Sequence, residues 1–126
     1  MGLEKKRLGK AGEDIAVKFL KKKGYKILNV NARTPFGELD AVARIKDFII
    51  FIEIKTRATS SLGPPYLSVT KEKQRRIVKN ALFYLKWYGL ANSFWRVDVV
   101  SVMLNYDDSV KSIELIENAV QEEYLK

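Results

Sequence analysis

The chain has 126 residues, 23 Lys and Arg against 15 Asp and Glu for a formal charge of +8, and neither Cys nor His. That length suits one domain spanning 1–126, whose core needs no disulfide or structural metal, and the basic balance fits a polyanionic partner and a plain lysine-rich surface about equally. Without Cys or His, zinc fingers, Ser-His-Asp triads, cysteine nucleophiles and histidine bases are excluded, and any metal must sit among oxygen ligands, which suits Mg²⁺ or Mn²⁺.

Leu8, Ala11, Ile15, Ala16, Phe19 and Leu20 recur at helical spacing and predict an amphipathic helix over about 3–23, closed by Lys21–Lys23 and Gly24. The N-terminal stretch has no long apolar core or small-residue cleavage site, and no run of about 18 apolar residues could span a bilayer, so a cytoplasmic protein with no membrane partner is expected. Residues 25–30 predict a short strand and 31–37 a turn-rich link. Residues 38–45 and 48–57 predict a hairpin turning at Lys46-Asp47, and 58–69 a Ser, Gly and Pro loop.

Thr70 is the expected cap of a second helix, with Ile77, Val78, Ala81, Leu82, Leu85 and Tyr88 on its buried face and Gly89 at its end. Residues 94–104 predict a strand, 105–108 a turn, 111–117 a last strand, and 118–126 a frayed end or short helix. The order α-β-β-β-α-β-β implies an α/β domain with a central sheet covered by helices.

The hairpin carries an unusual crowd of charge. Strand alternation puts Glu53, Lys55 and Arg57 on one face, and Glu38 and Asp40 likewise share a face of the strand before. A turn at 46–47 sets Asp40 opposite Glu53 and Glu38 opposite Lys55. Two carboxylates facing each other across a sheet repel, and burial adds to the cost, unless a divalent cation lies between them. Two acids, a lysine and an intervening carbonyl are the parts needed to hold Mg²⁺, activate water and neutralise a phosphate. A solvated strand end with a Glu–Lys pair is the plain alternative, since short E-x-K strings are common.

"GELD … FIEIKTR" resembles the PD-(D/E)-x-K arrangement of restriction-endonuclease-like nucleases, with Gly37-Glu38-Leu39-Asp40 in place of the Pro-Asp element. More closely, the chain is similar to the YraN-like family of predicted endonucleases, related to archaeal Holliday-junction resolvases. Gly9, Gly12-Glu13, Ala16, Gly24-Tyr25, Asn31, Arg33, Lys73-Gln74-Arg75-Arg76 and Arg96-Val97-Asp98 carry that resemblance over residues 9–104, with Val97 where an aromatic is usual.

The resemblance implies a restriction-endonuclease-like fold with a mixed sheet, and a Mg²⁺- or Mn²⁺-dependent endonuclease cutting structured or branched DNA such as a Holliday junction. Asp40 and Glu53 would ligate the metal with the carbonyl of Ile54, and Lys55 would position or polarise the attacking water. Glu13 is either a further metal or water contact or a solvated helix acid. Glu38 would stand behind the ligands, and Gln74 either looks into the cleft or is a boundary residue. Arg33, Arg57, Lys71, Lys73, Arg75, Arg76 and Lys79 are expected phosphate contacts, in part interchangeable with a solvated helix face. Tyr66 either stacks a splayed base or packs on the sheet.

A homodimer is expected only by analogy with resolvases, whose junctions need two symmetric cuts. The rival is a non-catalytic nucleic-acid-binding module of the same fold. A carboxylate-pair glycosidase fits less well, because it leaves Lys55 and the net charge without a role.

Overall fold

Among the described residues the apolar runs form five strands and the amphipathic segments form two helices. The computed structural model describes the backbone of residues 2–58 and 70–120 and the side chains of 7–58 and 70–120. In chain order these are α1 (Gly2–Lys22), β1 (Lys26–Thr34), β2 (Gly37–Ile45), β3 (Phe48–Ala58), α2 (Lys71–Trp87), β4 (Phe94–Leu104) and β5 (Val110–Ile116). The strands lie in one sheet in the order β1-β2-β3-β4-β5. All neighbours are antiparallel except β3 and β4. Parallel neighbours cannot be joined by a tight turn, and α2 is the crossover between them. The expected α/β class and element order are therefore observed.

β3 separates two cores. Ile50, Ile52 and Ile54 pack with Ala16 and Leu20 of α1 on one side of the sheet. Ile49 and Phe51 pack with Ile77, Val78 and Ala81 of α2 on the other. A strand buried on both faces reads as a continuous apolar run, as 48–52 does. α1 ends where Gly24 takes φ +94, with the Gly24 N–H donating to Lys21 O (3.0 Å) and the Tyr25 N–H to Leu20 O (3.0 Å), bonds that satisfy its last carbonyls. Thr70 caps α2 by accepting from the Lys73 N–H at 3.2 Å.

Three expectations change. β1 runs on through 31–34, because Pro35-Phe36 is a two-residue turn with Thr34 paired to Gly37 and Thr34 Oγ1 accepting from the Phe36 N–H at 3.0 Å. Gly37 takes φ +140, open to glycine alone without strain. On α2, Leu82 (48% exposed) and Tyr88 (54%) face solvent, while Asn80 and Tyr84 are buried in their place. Leu82 lies one residue, about 100°, past Ala81, and Tyr88 is already the C-cap. Asn80 and Tyr84 tolerate burial because each finds a partner across the sheet edge, Thr34 and Asn29 respectively.

Arg96 and Asp98 form a buried network at the end of the sheet away from Lys55. The fully buried Asp98 accepts from Tyr25 Oη (3.0 Å), Arg96 Nε (3.0 Å) and the Asn118 N–H (3.1 Å). Burial, then the Asp98 charge, push the Tyr25 hydroxyl up to about 12, so it remains a donor. The Ala119 N–H donates to Val97 O at 2.8 Å, and Val120 joins the α2-side core. The 59–69 loop with Tyr66, and residues 121–126, lie outside the described residues. No helix among the described residues is long and apolar enough to cross a membrane.

Candidate active site

β2 and β3 run paired from the Ile45–Phe48 turn as far as Ala41 and Ile52, and there they part. Beyond that rung β2 stays with β1 to Gly37, and β3 stays with β4 to Ala58. The fork leaves the Ile54 N–H without a β2 carbonyl, and Asp40 supplies the substitute: its Oδ2 accepts that N–H at 2.7 Å. The predicted register holds up to this point. Asp40 and Glu53 flank the fork from its two strands, as expected, without forming a ladder rung.

The alternation of β2 breaks at Asp40. Ala41 belongs to the α1-side core and Leu39, two residues away, to the α2-side core. The pairs on either side are Val30 with Ala41 and Ala32 with Leu39, which puts Asn31 across from Asp40. Asn31 takes φ +54, a conformation that Asn tolerates better than most residues. With its amide assigned so that the nitrogen faces the two carboxylates, Asn31 donates to Glu13 Oε1 (3.2 Å) and Glu38 Oε1 (2.9 Å). Glu38 is therefore not opposite Lys55, as the simple hairpin register implies. It pairs across with Arg33 of β1, at 3.9 Å between charges, and is bridged by Asn31 to Glu13.

On the other arm of the fork, Glu53 Oε1 and Lys55 Nζ form an ion pair at 3.0 Å, the two side chains only 17% and 20% exposed. α2 runs back along the sheet, which brings its first turn over this end of β3. Lys73, half-buried there, is held below the ordinary lysine range by desolvation first and the neighbouring Lys55 charge second. Lys73, one of the expected phosphate contacts, thus stands beside Lys55, whereas Lys71, Arg75 and Arg76 are exposed. Gln74 is buried on the same turn.

The surroundings of Asp40 perturb its carboxyl. Its carboxyl is pushed up to about 7 by burial first, then by the Glu53 and Glu13 charges, against the lowering effect of the Ile54 N–H and Lys55. An acid whose titration is driven up by burial and a neighbouring charge is a recurring mark of acid–base and metal chemistry, although structural ion pairs produce it too.

α1 reaches the fork because Gly12 has no side chain. A Cβ built on Gly12 would lie 2.7 Å from Thr56 Cβ and closer still to its Oγ1, so helix and strand touch there. Glu13, the next residue, lines with Lys55, Thr56 and Arg57 an open cleft of about 580 Å³. Gly12→Ala is expected to destabilise the fold by about 1–3 kcal/mol, the scale of overpacking. Adding Thr56→Ala, which removes Oγ1 and Cγ2, should restore part of it. Urea unfolding of the three proteins checks this, and an unchanged midpoint for Gly12→Ala would contradict the close approach.

Residues 12–102 match the profile of the Uncharacterised protein family UPF0102. The chain belongs to the UPF0102 family. A UPF0102 protein from Desulfosudis oleivorans is 48% identical over 116 residues, covering 92% of this chain and 91% of that one. One from Caldicellulosiruptor saccharolyticus is 40% identical, covering 93% and 99%. One from Clostridium botulinum is 44% identical, covering 92% and 95%. The UPF0102 match opens at Gly12, the contact residue of α1, and takes in Glu13, Asp40, Glu53, Lys55 and Gln74.

Of the remaining residues with expected roles, Arg57 lines the cleft, while Lys71, Arg75, Arg76, Lys79 and Arg33 are exposed. Arg76 lies 3.9 Å from Glu72, a loose exposed pair of little energetic weight. The sequence pattern includes Asn31 without a role, and its bridge to Glu13 and Glu38 gives it one. Its signal was an Asn across from an acidic strand.

Proposed function

We propose that this chain is a divalent-metal-dependent phosphodiesterase acting on DNA, with Asp40, Glu53 and Lys55 at the centre of a restriction-endonuclease-like site. The observation that carries the reading is the fork. An acid buried against a second acid is destabilising unless a cation joins them, and the fork holds both beside a half-buried lysine. The strand meander followed by a parallel strand, with helices on both faces, supports the fold assignment.

The donor set fits a hard cation. The bond from Ile54 uses one lone pair of Asp40 Oδ2, so the carboxylate can still ligate together with Glu53 and the Ile54 carbonyl. Among the described residues no group of three or more acids is close enough to share a metal, so water would complete the shell, as Mg²⁺ prefers. Bound there, Mg²⁺ or Mn²⁺ would supply Lewis acidity to a phosphoryl oxygen and acidity to a water. Lys55 orients that water and offsets charge on the phosphate, and Lys73 adds a second cation from the first turn of α2. Glu13, held by Asn31, orders solvent from the α1 side. The basic exposed face of α2 holds the nucleic-acid backbone through Lys71, Arg75, Arg76 and Lys79.

The second reading, a binding module without catalysis, is favoured by the Glu53–Lys55 contact, which neutralises part of the site internally. A panel of labelled DNA and RNA structures (duplex, single strand, flap, four-way junction) incubated with Mg²⁺ or Mn²⁺ separates the two. Metal-dependent nicking of at least one DNA is expected. Binding without product from any substrate would leave the binding module.

A further inference from the structure

We infer that the C-terminal half of α2 and the edge strand β1 form a stacking platform for unpaired bases, so that the preferred nucleic acid carries a single-stranded segment. The inference deepens the function proposed above and takes from it only the class of ligand. Trp87 is 73% exposed and lies flat on Phe83, ring centroids 5.8 Å apart and planes 15° from parallel. An exposed tryptophan stacked on a second ring adds little to a core, and it matches the π-face of any base. Tyr84, bonded to Asn29 and packed 4.4 Å from Tyr88, fixes the inner wall. Together with β1 these rings enclose a groove of about 430 Å³.

Charge and continuity choose the occupant. Arg33 and Asn31 line this groove and also the hollow that contains Glu13, which in turn borders the Lys55 cleft. A chain lying in the groove therefore leads over the β1 edge to the candidate site. Along α2 the same exposed side turns from basic to aromatic, Arg76 and Lys79 preceding Phe83 and Trp87 at helical spacing. Phosphates at one end and stacked bases at the other are the two contacts by which single strands are held, and the +8 charge suits them. A basic peptide or a second copy of this strongly basic chain would meet that charge unfavourably.

The test is anisotropy with a labelled oligothymidylate and a duplex of equal length, in chelator, so that cleavage plays no part. Trp87→Ala, at an exposed site, is expected to weaken single-strand binding about tenfold and to move duplex binding less than about twofold. The oligothymidylate should quench wild-type emission. In Trp87→Phe, where Trp95 is the one tryptophan left, quenching should largely disappear. Equal losses on both ligands, no loss on either, or a dimer that Trp87→Ala converts to monomer would each overturn the platform. Single-strand preference with no cleavage of any substrate would sink the nuclease reading alone, and cleavage without the preference would sink this one alone.

Discussion

Lys55→Met is expected to keep DNA affinity and to lose about 10²–10³ in turnover, the scale of removing one preorganised charge-stabilising donor. The side chain is only 20% exposed and 3.0 Å from Glu53, so it is already aimed and pays no reorganisation when charge develops nearby. Met preserves most of the apolar stem and removes the ammonium. Lys73 lies against Lys55, and its charge moderates the loss, so Lys55→Met with Lys73→Met should fall further than either alone. Single-turnover cleavage of the three variants measures this. Undiminished cleavage by Lys55→Met would move the role to another residue and undo the mechanism.

Asp40→Asn should flatten the pH dependence of stability in the metal-free protein. The Asp40 carboxyl titrates near its ordinary 3.8 when unfolded and near 7 when folded, raised chiefly by burial and the Glu53 charge. Between those values the folded state holds the extra proton, so stability falls as pH rises from about 4 through about 7. At about 1.36 kcal/mol per pH unit the ceiling is roughly 4 kcal/mol, and coupling to Glu53 reduces the share assignable to Asp40 to about 2 kcal/mol. No histidine titrates in that window to obscure it.

Asn keeps an acceptor for the Ile54 N–H, so at pH 8 in chelator Asp40→Asn should equal the wild type or exceed it by about 0.5–2 kcal/mol. Metal reverses the order. The wild type gains RT ln(1 + [L]/Kd), about 2.7 kcal/mol at a hundredfold excess over Kd, and the variant gains little. Thermal unfolding at pH 5 and 8, with chelator and with Mg²⁺, gives all of these comparisons. A variant less stable than wild type at pH 8, with neither melting curve moved by metal, would make Asp40 a structural residue.

Periodicity carried most of the architecture, since each element presents an apolar stripe or run to a core on one side of β3 or the other. The Lys46-Asp47 turn also set the hairpin register correctly, because the 45–48 pairing propagates rung by rung to Ala41 and Ile52. It failed at Asp40, where the strands fork and the alternation of β2 breaks. Nothing local in Gly37–Asp40 announces that. It follows from Asn31 on the neighbouring strand and from Gly12, whose contact partner Thr56 lies far away in sequence.

Asn80 and Tyr84 were missed for a related reason. Their burial rests on Thr34 and Asn29, 46 and 55 residues distant, whereas Leu82 and Tyr88 look more apolar but point outward. Lys73 could not be told from Arg75 or Arg76 by residue type. Its position on the first turn of α2, folded over the end of β3, separates them.

The most direct measurement is strand scission of a labelled branched DNA with a single-stranded segment, by wild type and Asp40→Asn, in Mg²⁺ and in chelator. The two proteins are first matched for folding and DNA affinity. Product from the wild type in Mg²⁺ alone, with none from Asp40→Asn, is the expected result. Equal scission by both proteins, or none by a wild type that binds the DNA and the metal, would contradict a metal-dependent nuclease built on Asp40, Glu53 and Lys55.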